Sequence, residues 1–210
     1  MNNTFVQLLI SFIASILSIF VALWIERKRL PKLAIMASGE ANADNTYPQG
    51  SAHAGERWKF FRVLVINKKI IWPFHWIIRQ TAENCRAKIE FSKIGSEELN
   101  FSMTGRWSST PELPHILNDA ILKLFHPDPV TIPINEKEYL DVITKCGTDT
   151  EAYGWNNEAY LHNWRSPHYK LERGIYRIKV TVSTQNGVAF SEKFELQIAD
   201  RIEDTYLKNS

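Results

Sequence analysis

Residues 5–25 (FVQLLISFIASILSIFVALWI) contain no charged side chain, no proline and no glycine, and this run constrains the chain more than any other feature in it. Its twenty-one residues, wound as an α-helix, span about 31 Å, the thickness of the hydrocarbon layer of a bilayer. Trp24 stands at the end of the run, where an amphipathic ring favours the membrane interface, and Glu26, Arg27, Lys28 and Arg29 follow at once. A secretory signal requires a charged start, a shorter apolar core and a small-residue cleavage site close behind it. Met1-Asn-Asn-Thr4 carries no charged side chain, and the Ala41-Asn42-Ala43 pattern lies well beyond the basic cluster. The sequence therefore predicts a retained transmembrane anchor over residues 1–29, with Trp24, Arg27, Lys28 and Arg29 at the interface. The basic residues all follow the helix, so a single-pass cell-membrane protein is expected. Its N-terminus lies outside and residues 30–210 face the cytoplasm.

The anchor is not uniform around its axis. Gln7, Ser11, Ala14, Ser15, Ser18 and Ala22 fall within an arc of about 100°, and the rest of the surface is Ile, Leu, Phe, Val and Trp. Small residues at spacings of three and four let transmembrane backbones approach closely. The stripe predicts a homo-oligomer through the helix, or packing against a partner helix. The competing reading is a passive tether whose serines bond their own i−4 carbonyls.

Behind the anchor, a hydrophobic fraction of 44% and aromatics at 12%, seven of them Trp, supply enough apolar surface for one domain. The formal charge is +2. Glu26, Arg27, Lys28, Arg29 and Lys32 together account for +3, which leaves −1 for the remainder. A near-neutral domain lacks the basic footprint of sequence-independent nucleic-acid binding, so no direct nucleic-acid contact is expected. Cys85 and Cys146 are the two cysteines. Cys85 shares a period-two face with Ala87, Ile89 and Phe91, and Cys146 shares one with Leu140 and Val142. Both thus point inward. A sandwich-spanning disulfide is compatible with that placement, but a reducing compartment favours two buried thiols.

The domain reads as mainly β. Residues 33–37 suit a short first strand, and 38–57 carry almost no apolar side chain and read as a flexible loop. Strands are predicted at 58–67 (WKFFRVLVIN), 85–92 (CRAKIEFS), 99–103, 130–134 and 139–146. Leu117, Ala120, Ile121, Leu124 and Phe125 follow helical spacing until Pro127 and Pro129. Residues 176–183 and 188–198 flank Thr184-Gln-Asn-Gly187, and Asn-Gly is a strong hairpin signal. Leu171, Gly174 and Tyr176 form an L-x-x-G-x-Y arrangement like the tyrosine corner of immunoglobulin-like domains. With no repeat and no β-α-β alternation, the expected fold is an antiparallel β-sandwich, immunoglobulin-like, behind one transmembrane helix.

Three stretches invite a functional reading. Residues 68–79 (KKIIWPFHWIIR) are apolar and bracketed by cations, which fits either a membrane-contacting segment or a cap on the sandwich. Residues 153–164 offer Tyr153, Trp155, Asn156, Asn157, Glu158 and Tyr160, rings and amides that suit a ligand pocket or a self-packed loop. Arg106 can clamp an anion or stack on Trp107. Catalysis finds no support. The histidines at 53, 75, 115, 126, 162 and 168 lack metal-ligand spacing, and Ser191 has no flanking glycines for a nucleophile elbow. No catalytic residue, metal or cofactor is expected.

Asn84-Cys-Arg-Ala87, Gly105-Arg-Trp-Ser108 and Tyr153-Gly-Trp-Asn-Asn-Glu158, with the arm at 171–182, resemble a group of uncharacterised prokaryotic membrane-anchored proteins with a β-sandwich domain. The likeness covers residues 58–200 and implies fold and location rather than chemistry. The chain is also similar, more weakly, to the small membrane effectors encoded beside short prokaryotic Argonautes, which depolarise the membrane when triggered. Taken together, the expectation is a membrane-tethered, non-enzymatic module that binds a cytoplasmic protein or small ligand. The alternative is a membrane-acting defence effector that oligomerises through its helix.

Overall fold

The computed structural model describes residues 2–44, 56–96, 98–111, 128–162 and 164–210. Helix α1 (Asn2–Arg29) is long and apolar enough to cross a membrane, and none of its apolar window is buried against the rest of the chain. Twelve strands follow among the described residues. One sheet holds β1 (Leu33–Asp44), β2 (Arg57–Asn67), β5 (Arg106–Trp107), β7 (Lys137–Cys146), β8 (Ala152–Gly154) and β9 (Lys170–Leu171). The other holds β3 (Ala82–Lys93), β4 (Leu99–Thr104), β6 (Val130–Ile132), β10 (Gly174–Ser183), β11 (Ala189–Ile198) and β12 (Tyr206–Asn209). The orders are β1-β2-β7-β8-β9, with β5 also on β7, and β12-β11-β10-β3-β4, with β6 also on β3. Every pairing is antiparallel.

Alternation explains the inner faces. From Cys85 on, the buried side chains of β3 are Cys85, Ala87, Ile89 and Phe91, and in β10 they are Tyr176, Ile178, Val180 and Val182. They meet Phe61, Val63 and Val65 of β2 in one hydrophobic core between the sheets. At the corner before the last hairpin, the Tyr176 hydroxyl donates to the Glu172 carbonyl at 2.9 Å, the backbone staple expected of that tyrosine.

Two sequence expectations change. Residues 38–44 are not loop: β1 runs on to Asp44, kinked by a bulge between Ala37 and Glu40, where Gly39 supplies a positive φ of 57°. At the other end of the expected loop Arg57 belongs to β2, and residues 45–55 and the expected helix at 117–125 lie outside the described residues. The second change concerns β7. Its pairing with β2 slips between Phe61, opposite Ile143, and Arg62, opposite Asp141, so Val142 has no partner. One extra residue inverts every later side chain. Leu140 and Val142 therefore stay in the main core, but Cys146 passes to a second cluster with Trp58, Phe60, Trp155 and Ala159. Cys85 and Cys146 are both buried free thiols.

Candidate functional site

The bulge builds the outer face of the first sheet. Before it, Asp141 points outward and is the registered partner of Arg62 on β2 and of Arg106 on β5. The three charges thus form one rung across adjacent strands. Arg62 Nε donates to Asp141 Oδ1 at 2.6 Å, Ser108 Oγ donates to the same oxygen at 2.9 Å, and Arg106 Nη1 lies 3.5 Å from Oδ2. Arg106 also gives Nε to Asn157 Oδ1 at 3.1 Å and Nη2 to the Thr110 and Pro111 carbonyls at 2.8 and 3.2 Å. Asp141 and Arg106 are buried, whereas 28% of the Arg62 side chain remains exposed.

Past the bulge, Trp58 and Phe60 occupy the same outer face, and the loop after β8 closes over them. The unpaired Val142 supplies the attachment point, its carbonyl accepting the Trp155 N–H at 3.1 Å. Asn156 accepts the Ala159 N–H with both its carbonyl and its side chain, at 3.1 and 3.3 Å. Those bonds start the 3-10 helix Asn157–His162. Trp164 then returns edge-on to Trp58, Phe60 and Trp155, with ring centroids 5.2, 5.7 and 5.3 Å away. Arg165 lies over the Trp58 ring at 4.7 Å and pairs with Glu56 and Asp149 at 2.9 and 2.8 Å. A cavity of about 150 Å³ remains between this aromatic wall (Phe60, Trp155, Trp164) and the rung Arg62, Asp141 and Arg106.

The expected site residues are thus divided. Arg106 and Trp155 line the cavity, and Asn157 holds Arg106 in place. Trp107 does not stack under Arg106: as the next residue on a strand it takes the opposite face, and it is buried in the main core with Nε1 donating to the Cys85 carbonyl at 3.1 Å. Tyr153 is buried beside Glu151, its hydroxyl donating at 3.2 Å, and burial followed by the Glu151 charge pushes its pKa up. Asn156 is buried as a cap, and Glu158 is exposed and accepts from the Tyr169 hydroxyl at 2.8 Å. The side chain of Tyr160 lies outside the described residues. Sequence reasoning missed Arg62, Ser108 and Asp141. For Arg62 and Asp141 the signal was a charge set inside an apolar strand, in FFRVLV and YLDVIT.

Elsewhere, Cys85 is an inert thiol, its pKa pushed by burial to about 11. Among the described residues no group of three or more His, Cys, Asp or Glu is placed to hold a metal ion. On α1, Gln7, Ser11, Ala14, Ser15, Ser18 and Ala22 are all exposed. Ser15 Oγ donates to the Ser11 carbonyl and Ser18 Oγ to the Ala14 carbonyl, both at 2.8 Å, so these two hydroxyls are satisfied within the helix. At its end Lys28 lies over the Trp24 ring at 5.7 Å and Arg29 pairs with Glu26 at 2.9 Å. Comparison with protein-family models, curated proteins and solved structures gives no match.

Proposed function

We propose that the chain is a membrane-tethered, non-enzymatic binding module whose β domain faces the cytoplasm and which captures a small anionic group in the Arg62–Asp141–Arg106 cavity. One observation carries this reading. Among the described residues lining the cavity, two arginines share a single carboxylate, and the facing wall is aromatic. A ligand carboxylate or phosphate can reach the partly exposed Arg62 guanidinium there, and its planar or apolar part meets Phe60, Trp155 and Trp164. The volume of about 150 Å³ suits the acidic end of a small molecule or one side chain of a partner protein. The apolar α1 and the basic residues behind it support the tether and its orientation.

The test measures the melting temperature of the full chain in lipid nanodiscs against benzoate, AMP and a glutamate-terminated tripeptide. At least one should stabilise the wild type and fail to stabilise Arg62→Gln, a variant chosen because Arg62 is the most exposed member of the rung. No stabilisation by any of the three would count against an anion site. Orientation is checked separately: a C-terminal alkaline phosphatase fusion should be inactive and a fluorescent-protein fusion bright. Loss of membrane potential on expression in bacteria would instead favour an effector acting through its helix.

A further inference from the structure

The sandwich end beside α1 carries a cluster that the fold does not bury. Between β2 and β3 the chain makes successive turns, Phe74 N–H to the Ile71 carbonyl at 3.2 Å and Ile77 N–H to the Phe74 carbonyl at 3.0 Å. Ile77 alone tucks in, 4% exposed, whereas Ile71, Trp72, Trp76 and Ile78 are 75, 82, 60 and 70% exposed. Scattered apolar side chains on a surface mean little, but four such residues within eight positions form a contiguous patch of the kind that contacts another apolar phase.

The loop's position identifies that phase. The Phe74 ring meets Trp24 edge-on at 5.1 Å. Trp24 precedes the helix end at Arg29 by five residues, about 7.5 Å along the axis, so the loop reaches back beside the apolar helix. Hydrogen bonds fix it there. Arg79 Nη1 donates to the Lys28 and Leu30 carbonyls at 3.1 and 2.9 Å, and Gln80 N–H donates to the Arg29 carbonyl at 2.6 Å. Beside the apolar side chains opens a cavity of about 380 Å³, walled by Ile70, Ile71, Trp72 and Ile78 with Lys69 and Arg79 among its lining. The Nε of Arg79 is buried without a hydrogen-bond partner among the described residues. Exposed tryptophans flanked by cations suit the headgroup layer, where rings take the apolar side and ammonium or guanidinium groups take lipid phosphate.

We infer that Ile71, Trp72, Trp76 and Ile78 seat in the phospholipid headgroup layer of the leaflet from which α1 emerges, a second membrane contact that fixes the tilt of the β domain. The inference rests on the reading that α1 spans the bilayer. An anchor alone leaves a domain free to swing, whereas a loop engaged at Trp24 depth holds the sandwich in one orientation and gives the anion cavity a fixed relation to the membrane.

The experiment places an environment-sensitive fluorophore on single cysteines introduced in the full chain by Trp72→Cys, Ile78→Cys, Ser96→Cys or Ile16→Cys. The wild type, whose two thiols are buried, serves as the labelling blank. Ser96 is exposed in the turn after β3, about 40 Å along the strand from the helix end. The chains are reconstituted in phosphatidylethanolamine–phosphatidylglycerol vesicles carrying a nitroxide at the headgroup or deep in the acyl chain. The deep nitroxide should quench position 16, and the headgroup nitroxide should quench positions 72 and 78 several-fold more than position 96. If position 16 is quenched but 72 and 78 behave like 96, the second contact is overturned and the anchor stands. If position 16 is not quenched, the membrane reading itself falls and takes the inference with it. Shielding of positions 72 and 78 from aqueous iodide without nitroxide quenching means that protein, such as a second copy, covers the loop, and also overturns it.

Discussion

Asp141 and Arg106 are registered partners on adjacent strands, 3.5 Å apart, with only 2% and 5% of their side chains exposed. Arg62 takes the opposite oxygen of the same carboxylate at 2.6 Å, so one buried negative charge serves two cations. Removing one partner of a buried ion pair costs more than the pair contributes, because the charge left behind has lost both water and counter-ion. Asp141→Asn, which preserves shape and deletes the charge, should destabilise the domain by about 3–5 kcal/mol. Urea unfolding of the full chain in detergent micelles, followed by tryptophan fluorescence, measures it. An unchanged midpoint would mean that the rung is electrostatically idle.

The Tyr176 hydroxyl makes a smaller and cleaner prediction. Tyr176 is buried, and its hydroxyl has the Glu172 carbonyl as acceptor at 2.9 Å. Tyr176→Phe keeps the ring in the core and removes that bond alone. It should cost about 1–2 kcal/mol, seen as a lowered midpoint in the same unfolding experiment. Tyr176→Ala, which also empties ring volume from the core, should cost about 3–5 kcal/mol.

These two residues show where the sequence was transparent and where it was not. Tyr176 lies two residues after Gly174, near the start of a strand that alternates cleanly, so local pattern alone placed its face and its bond to upstream backbone. Asp141 and Arg62 stand 79 positions apart, and their pairing depends on register, which no single-strand pattern encodes. The bulge at Val142 then defeats parity. Reading period two through it puts Cys146 beside Leu140, whereas the extra residue carries it to the opposite face with Trp58. The strands β8 and β9, three and two residues long, are too short to show any period. The aromatic loop at 153–164 was legible as a cluster. Its burial was not, because that requires knowing that Val142 at the bulge offers its carbonyl to Trp155 and so folds the loop over Trp58 and Phe60 on the outer face of β2.

Acid sensitivity should trace to Glu151. The Thr150 hydroxyl donates to its carboxylate at 2.6 Å and the Lys170 ammonium lies 3.1 Å away. Led by the Thr150 bond, these contacts hold its pKa at about 2, below the ordinary 4.5. A depressed folded-state pKa means that the unfolded chain binds the proton more readily. The contribution is therefore full above pH 4.5 and is lost as the pH falls from there through about 2. In Glu151→Gln the stability should fall less steeply across that window than in the wild type, while Thr150→Val should show an intermediate slope. Equal slopes in all three chains would remove Glu151 from the acid response.

Gly105 stands at the crossing from β4 to β5, where the chain leaves one sheet for the other, and its N–H donates to the Ala87 carbonyl at 2.8 Å. A Cβ built there would lie 2.8 Å from the Ala87 Cβ and 2.8 Å from the Leu140 Cδ1. The leucine tip can rotate away, but the Ala87 Cβ is fixed to a paired strand, so the backbone must give. Gly105→Ala should therefore cost about 1–3 kcal/mol, in the range of core overpacking. Gly147→Ala is the matched control, since its new Cβ would meet nothing closer than the Arg57 carbonyl at 3.7 Å. A double-mutant cycle identifies the cause. Ala87→Gly removes the immovable atom and by itself costs about 0.5–1 kcal/mol of strand stability, yet added to Gly105→Ala it should relieve part of the clash. The double variant should be more stable than the sum of the singles by 0.5 kcal/mol or more, on the order expected of residues in contact. Strict additivity would show that Gly105 is required for some reason other than this approach. The same variant bears on the cavity, because Gly105 immediately precedes Arg106. A displaced crossing shifts the guanidinium from Asn157 and Asp141, so Gly105→Ala should also weaken any anion-dependent stabilisation that the wild type shows, whereas Gly147→Ala should leave it intact.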